Sequence, residues 1–332
     1  MRDRPDGVTE SALFEALAAG WGLTVRSARY VPLGAGSYHW AVTTDDGTRF
    51  VTVDHLGGAD REATFARLEH AFDTAVALRR DAGLGFVVAP VPTRTGATVC
   101  RLDPRYSVAV FPMLDGRSGR FGPHPPADRA EVVALLAALH LATPVVAAHA
   151  PPVDLALPGR AGLHDALRHL DGEWAGGPYA EPARRLLADR AGHVVALLTE
   201  FDRLVAHVRG TTTDWVVTHG EPHPGNLIRD AAGPHLVDWD TVRLAPPERD
   251  LWMLAAGPGS SDSGDSGASE AVFDDYARTT GRAVDPAALA LYRRWWNLAD
   301  IANYVAELRG PHRITADSSA SWEYLQAGLV SP

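Results

Sequence analysis

Residues 218–250 read THGEPHPGNLIRDAAGPHLVDWDTVRLAPPERD, and the reading of this stretch decides the fold. An apolar run, Trp215-Val216-Val217-Thr218, leads into it and then breaks into a loop, because Gly220, Pro222, Pro224 and Gly225 forbid regular helix or mid-sheet strand. After Asn226, the run Leu227-Ile228-Arg229, the turn-forming Asp230-Ala231-Ala232-Gly233 and the run Pro234-His235-Leu236-Val237 predict a β-hairpin. A hairpin returns the chain to its start, so Asn226 before the first strand and Asp238 after the second should lie together. An amide oxygen and a carboxylate so placed suit one hard cation, and magnesium also favours phosphate oxygens.

His219-Gly220-Glu221-x4-Asn226, followed by a hairpin and Asp238, resembles the catalytic segment of the aminoglycoside phosphotransferase family, its spectinomycin-type members above all. The resemblance implies an α+β, bilobal protein-kinase-like fold, with a β-rich nucleotide-binding lobe over 1–113 and a mainly helical catalytic and substrate-binding lobe over 114–332. It also implies that Asn226 and Asp238 hold Mg2+ on the phosphates of ATP or GTP, and that His219 and Glu221 form the catalytic loop. The family usually has Asp where this chain has Glu221. The unperturbed acidities are close, roughly 4.3 against 3.9, so the difference is one of reach, and a misplacement of about 1 Å can cost about 10²-fold in rate.

His219-x-Glu221-x-His223 also matches half of a zinc deaminase signature. That chemistry needs a Pro-Cys-x-x-Cys partner, and the chain has one cysteine, Cys100. A zinc site on His219 and His223 alone lacks a third ligand at a suitable spacing.

The 332 residues, 46% of them hydrophobic, can bury one or two sizeable cores, and 24 prolines with 31 glycines imply many loops. With 31 basic against 41 acidic residues the formal charge is −10, which disfavours a nucleic acid partner and suits a neutral or cationic small substrate. All the basic residues are arginine. A single cysteine excludes an internal disulfide framework. The opening MRDRPDGVTESALFEAL carries charges where a signal peptide needs an apolar core, and no apolar run reaches the roughly 18 residues of a membrane span, so the expected location is cytoplasmic.

Leu13, Leu17 and Trp21 recur at a spacing of four and predict an amphipathic helix over 9–21. Three strands should follow, around Tyr30-Val31, His39-Trp40-Ala41-Val42 and Arg49-Phe50-Val51-Thr52-Val53, with Asp46-Gly47 as a hairpin turn. Gly34-Ala35-Gly36-Ser37 reads either as an ordinary turn or, by the resemblance, as the glycine-rich loop over the phosphates, with Gly34, Gly36 and Ser37 as contacts. The family's strand lysine falls at Thr52, which offers a hydrogen bond and no charge; either Arg61 or Arg67 substitutes, or the nucleotide is held differently, or nucleotide binding has been lost. A helix is expected over 59–80, with Glu62 or Glu69 as the glutamate that pairs a phosphate-binding cation. Strands are expected over 86–90 and 97–100, and 106–116 reads as a buried strand running into a turn, which resembles the family's interlobe hinge. By resemblance, Phe111 and Met113 border the purine there.

Helices are further expected over 128–143, with His140 a hydrogen-bonded packing residue, over 166–170, 184–208, 273–280 and 286–308. The low-complexity segment 257–270 is expected to be a loop. Asp250 begins a helix that braces the catalytic loop. Asp240 is a candidate substrate contact or a structural residue. Trp296, Asp300, Asn303 and Glu307 share one helical face, which suits a cationic amino sugar or is an ordinary exposed side. The expected activity is Mg2+-dependent transfer of the γ-phosphate to a hydroxyl of an aminoglycoside- or aminocyclitol-type antibiotic. The alternatives are a pseudokinase-like binding protein and a kinase for a nucleoside or amino-alcohol, with no nucleic acid or membrane partner in any of these readings.

Overall fold

The computed structural model describes residues 1–34, 36–57, 60–211, 214–255 and 263–330, with side chains described except at 263–269 and 330. The chain divides into two compact units, one made of Met1–Pro152 and Trp215–Ala283, the other of Val153–Asp214 and Val284–Pro332.

The first unit opens with helix α1 (Glu10–Trp21), whose N-terminus is capped by the Thr9 side chain accepting from the Ala12 N–H. Gly22 ends it with a left-handed φ of 71°. The following strands β1 (Val25–Val31), β2 (Ser37–Thr44), β3 (Gly47–His55), β4 (Cys100–Arg101) and β5 (Tyr106–Pro112) form an antiparallel sheet in the order β1-β2-β3-β5-β4. Its strands send alternate side chains to opposite faces, and both faces are covered. Val51, Val53, Val108 and Val110 pack with Trp40, Leu13 and Leu17 on the α1 face. The opposite face is covered by α2 (Arg61–Arg80), where Leu68 and Phe72 meet Leu56, Ala109 and Phe111. The Asp60 carboxylate caps α2 by accepting from the Ala63 N–H.

Further helices of this unit follow later in sequence: α3 (Arg129–Leu141), the short α4 (Thr143–Val146) and α7 (Glu248–Leu251), and α8 (Ser263–Thr280), with α3 packed on α8. Between them the chain forms two small sheets, β7 (Val216–Thr218) with β10 (Arg243–Ala245), and β6 (Arg117–Ser118) with the hairpin β8 (Leu227–Asp230) and β9 (Gly233–Leu236). The hairpin register pairs Leu227 with Leu236 and Asp230 with Gly233, so the expected turn is the observed one.

The second unit is helical. It contains α5 (Arg160–Arg168), α6 (Ala180–Thr211), α9 (Pro286–Arg309) and α10 (Ala316–Val330). Val194, Leu197, Phe201, Leu204 and Val208 keep helical spacing along α6 and are buried, as are Leu291, Leu298, Ile301, Val305 and Leu308 along α9. Trp174 is buried under the Arg309 guanidinium, 5.4 Å from the ring centroid, and is a packing residue.

Three expectations are corrected. Of 97–100 only Cys100 enters a strand, β4, because the turn at 93–97 precedes it. Residues 86–89 do not form a strand: Val87 makes one isolated bridge to Leu236, because the flanking Pro90 and Pro92 lack the N–H groups a longer ladder needs. Of the low-complexity segment 257–270, residues 257–262 lie outside the described residues, whereas 263–270 are the first turns of α8, where the periodic residues after 270 extend a helix back into a polar sequence. Ala35 and Ala59 also lie outside the described residues. No helix among the described residues is long and apolar enough to cross a membrane.

Leu17 is fully buried between α1 and the sheet. Leu17→Ala should therefore destabilise the protein by about 2–5 kcal/mol, read as a lower urea midpoint at unchanged slope.

Candidate functional site

The loop between β7 and β8 is held from beneath by one carboxylate. Asp250 lies on the short helix α7 (Glu248–Leu251), whose start is fixed by Pro246-Pro247. It is fully buried; its Oδ2 accepts from the His219 N–H at 2.8 Å and its Oδ1 from the Gly220 N–H at 2.6 Å. His140 of α3 stands 3.1 Å from the same Oδ2 and 2.8 Å from the Tyr276 hydroxyl, so it is the hydrogen-bonded packing residue expected. Burial works against the Asp250 charge, but the hydrogen bond and charge of His140 together with His219 and Arg249 leave its carboxyl below the usual aspartate range. Buried and multiply hydrogen-bonded, it is a structural carboxylate.

His219 directs the loop inward. Its Nδ1 accepts from the Glu221 N–H at 3.1 Å, so Nε2 carries the proton and donates to the Val237 carbonyl at 2.8 Å. The ring packs edge-on to Trp239, centroids 4.6 Å apart. Burial, the largest influence, pushes the imidazole down to about 4, and both nitrogens are used within the loop. His219 consequently orients its neighbours. Gly220 has φ 99°, and a Cβ there would run into the Arg249 guanidinium, which is itself fixed on the Thr218 hydroxyl and the Thr241 carbonyl.

Asn226 and Asp238 come together as the hairpin requires: the Val237 N–H donates to the Asn226 carbonyl at 2.9 Å. The Asn226 Nδ2 donates to the Glu221 carbonyl at 3.0 Å, which leaves its amide oxygen as the side chain's acceptor. Asp238 adopts a left-handed φ of 68°, a conformation Asp tolerates better than most residues. It keeps access to solvent while crowded by protein, and this loss of hydration raises its carboxyl. Asp240 is raised well above the usual range by burial first and then by Asp238, Glu221 and Asp54, with Arg243 opposing. Oxygen donors of this kind fit a hard cation such as Mg2+. Among the described residues no three His, Cys, Asp or Glu side chains already stand as a cation cage, so such an ion would complete its shell with Asn226, phosphate and water.

On the sheet, Gly34 and Gly36 have φ of 65° and 90°, as a tight turn before β2 demands, and no protein atom lies within 4 Å of where a Gly36 Cβ would be. Thr52 is nearly buried and its hydroxyl lies 3.2 Å from His39 Nδ1. Ser37 donates to Asp54 Oδ1 at 2.5 Å. Asp54 is a residue that sequence reading missed, although strict alternation along β3 puts it on the same face as Thr52. Burial raises its carboxyl to about 6, Ser37 opposing and the Asp238 charge adding. The α2 residues separate: Glu62 pairs with Arg101 at 2.6 Å and the charge of Glu69 is felt at Cys100, Arg101 and Cys100 both lying on the edge strand, whereas the charge of Arg67 is felt at Arg243 on β10. Phe111 packs against Phe72, centroids 5.5 Å apart, and Met113 is partly exposed just after β5. Trp296, Asp300 and Glu307 belong to the second unit, on α9, where burial raises Asp300 to about 6 and, to a smaller extent, Glu307.

Asp250→Ala would strand two buried N–H groups and His140, and should destabilise by about 3–5 kcal/mol, measured by urea unfolding. His219 and His223 are both pushed down to about 4, chiefly by burial. Their carbon-bound ring protons should show no titration in NMR between pH 8 and 5; a midpoint near 6.5 would contradict the buried, neutral assignment.

The same outline recurs in known proteins. Spectinomycin phosphotransferase, solved with ADP and spectinomycin, superposes with a TM-score of 0.73 at 16% identity, over 98% of this chain and 96% of that one. A microcompartment-associated aminopropanol kinase superposes with a TM-score of 0.62 at 18% identity, over 97% and 95% of the two chains. At these identities the likeness establishes a kinase-like fold. Protein StrN of Streptomyces griseus is 31% identical over 267 residues, 77% of this chain and 75% of StrN. The profile of the phosphotransferase enzyme family matches residues 27–294, which includes the sheet, the loop at His219 and the first turns of α9. The chain belongs to the phosphotransferase enzyme family.

Proposed function

We propose that this protein transfers the γ-phosphate of ATP or GTP to a hydroxyl of a small hydroxylated acceptor bearing amino groups, an aminoglycoside- or aminocyclitol-type antibiotic. The observation that carries the reading is the Asn226 side chain tied to the Glu221 carbonyl while its own backbone carbonyl receives Val237. In this reading the loop offers the Glu221 carboxylate to the acceptor hydroxyl, while the Asn226 amide oxygen and, at the exit of the hairpin, the Asp238 carboxylate serve Mg2+. The metal, when bound with the nucleotide, neutralises charge on the phosphates.

In this reading Glu221 orients the acceptor hydroxyl and takes its proton as the new O–P bond forms and the bond to the β-phosphate oxygen breaks. His219 holds Glu221 in place. Gly34, Gly36 and Ser37 approach the phosphates with backbone N–H groups, Thr52 and Glu69 border the nucleotide, and the backbone of Phe111 to Met113 meets the purine. Residues 1–113 form the nucleotide-binding lobe and 114–332 the catalytic and substrate-binding lobe. Asp240 is a candidate acceptor contact within the first unit; within the second, Trp296, Asp300 and Glu307 on α9 are separate candidates, an aromatic ring and two carboxylates of the kind that ammonium groups favour. The excess of acidic residues supports a cationic acceptor, and a location in the cytoplasm supports nucleotide supply.

The test is a panel of aminocyclitols, aminoglycosides, amino-alcohols and nucleosides, offered with ATP or GTP and Mg2+ and analysed by mass spectrometry for gain of one phosphoryl group. Transfer to an aminocyclitol or aminoglycoside is the expected result. Transfer only to an amino-alcohol or nucleoside would reassign the acceptor, and acceptor binding without any transfer would overturn the enzymatic reading in favour of a binding protein. Asn226→Ala and Asp238→Ala should each lower kcat by at least about 10²-fold while leaving acceptor binding in place; full activity in either would remove the metal assignment.

A further inference from the structure

Strand β3 sends Val51 and Val53 into the core beneath α1, so Thr52 and Asp54 lie on its other face, paired across β2 with His39 and Ser37. Asp54 is 7% exposed. Its Oδ1 is engaged by Ser37, whereas Oδ2 is buried with no hydrogen-bond partner. A buried carboxylate oxygen left unmatched is unfavourable, and more so with other carboxylates close by. The charge of Asp54 is felt at Asp240, and that of Asp238 at Asp54, so its carboxylate belongs to the same field as the hairpin acids. No arginine or histidine among the described residues forms an ion pair with Asp54, and Thr52 beside it carries no charge. A nucleoside triphosphate brings still more negative charge to this region. The group that reconciles Asp54, Asp238 and phosphate is a cation with a taste for oxygen ligands.

We propose that Asp54 is a further protein ligand, directly or through one metal-bound water, of the divalent cation held by Asn226 and Asp238. The cation then ties β3 to the nucleotide phosphates in a chain whose strand offers no basic side chain at Thr52. Ser37 extends the link, because the hydroxyl that donates to Asp54 belongs to the residue closing the glycine turn. This inference rests on the phosphotransferase reading above.

The experiment uses Mn2+ as the probe, with a non-hydrolysable ATP analogue and the full-length protein, and follows free Mn2+ by electron paramagnetic resonance. Wild type, Asp54→Asn, Asp54→Glu and Asp238→Asn are compared, with thermal melting as the check that each is folded. Asp54→Asn is expected to weaken Mn2+ binding in the nucleotide complex about 10–100-fold. Asp54→Glu, which keeps the carboxylate, should bind Mn2+ more tightly than Asp54→Asn. If Asp54→Asn binds Mn2+ as wild type does while Asp238→Asn is impaired, the proposal is overturned and the phosphotransferase reading stands. The proposal is equally overturned if Asp54→Asn loses affinity for an amino-sugar acceptor with Mn2+ binding unchanged, since Asp54 would then be an ammonium site. If wild type itself binds no Mn2+ with the analogue, both readings fall together.

Discussion

The site depends on a buried carboxylate that takes no part in chemistry. Asp250 accepts the N–H groups of His219 and Gly220 at 2.8 and 2.6 Å, and by doing so fixes the point where β7 turns into the loop. Two backbone donors in succession would otherwise be buried without partners at a turn with φ 99°, a conformation that regular structure cannot satisfy. Everything downstream follows from that anchoring. His219 reaches across to Val237, which fixes the exit of the hairpin, and the exit carries Asp238. Thr241 and Arg249 close the same network from the far side, through the His219 carbonyl, the Thr218 hydroxyl and the Thr241 carbonyl.

The electrostatics of the first unit are uneven in a way that points to a counter-charge supplied by a ligand. Loss of hydration raises Asp54, Asp238 and Asp240, and the Asp238 charge adds to it at Asp54 and Asp240, while the structural Asp250 is held low by the His140 hydrogen bond and the charges around it. Carboxylates that serve only packing are normally paired, as Asp250 is.

The second unit presents a different surface chemistry. Its core is two long helices with apolar stripes, and the carboxylates of α9 are raised by burial and not by pairing. Asp300 and Glu307 lie on the same helix as Trp296, four and eleven residues further on, a spacing that puts the three on one side of it. Trp174, by contrast, is enclosed beneath Arg309 and contributes packing alone.

Local sequence determined a good deal. Gly220, Pro222, Pro224 and Gly225 had to break the chain after β7, and the Asp230 to Gly233 turn had to fold β8 on β9, so the proximity of Asn226 and Asp238 was already contained in 13 consecutive residues. The amphipathic spacing of α1, α6 and α9 was equally explicit, because a helix records its buried face every three or four residues. Tertiary structure decided what no local pattern encodes. The proline-flanked residues 86–89 had strand-like composition but found only Leu236 to pair with, and residues 263–270 joined a helix that composition assigns to a loop. Alternation placed Asp54 beside Thr52 on one face of β3, but only the packed structure left its Oδ2 without a partner in the field of acids 184 residues further along the chain, at Asp238. Periodicity tells which way a side chain points; what it meets there depends on long-range packing, and charge interactions across that distance in sequence leave no local trace.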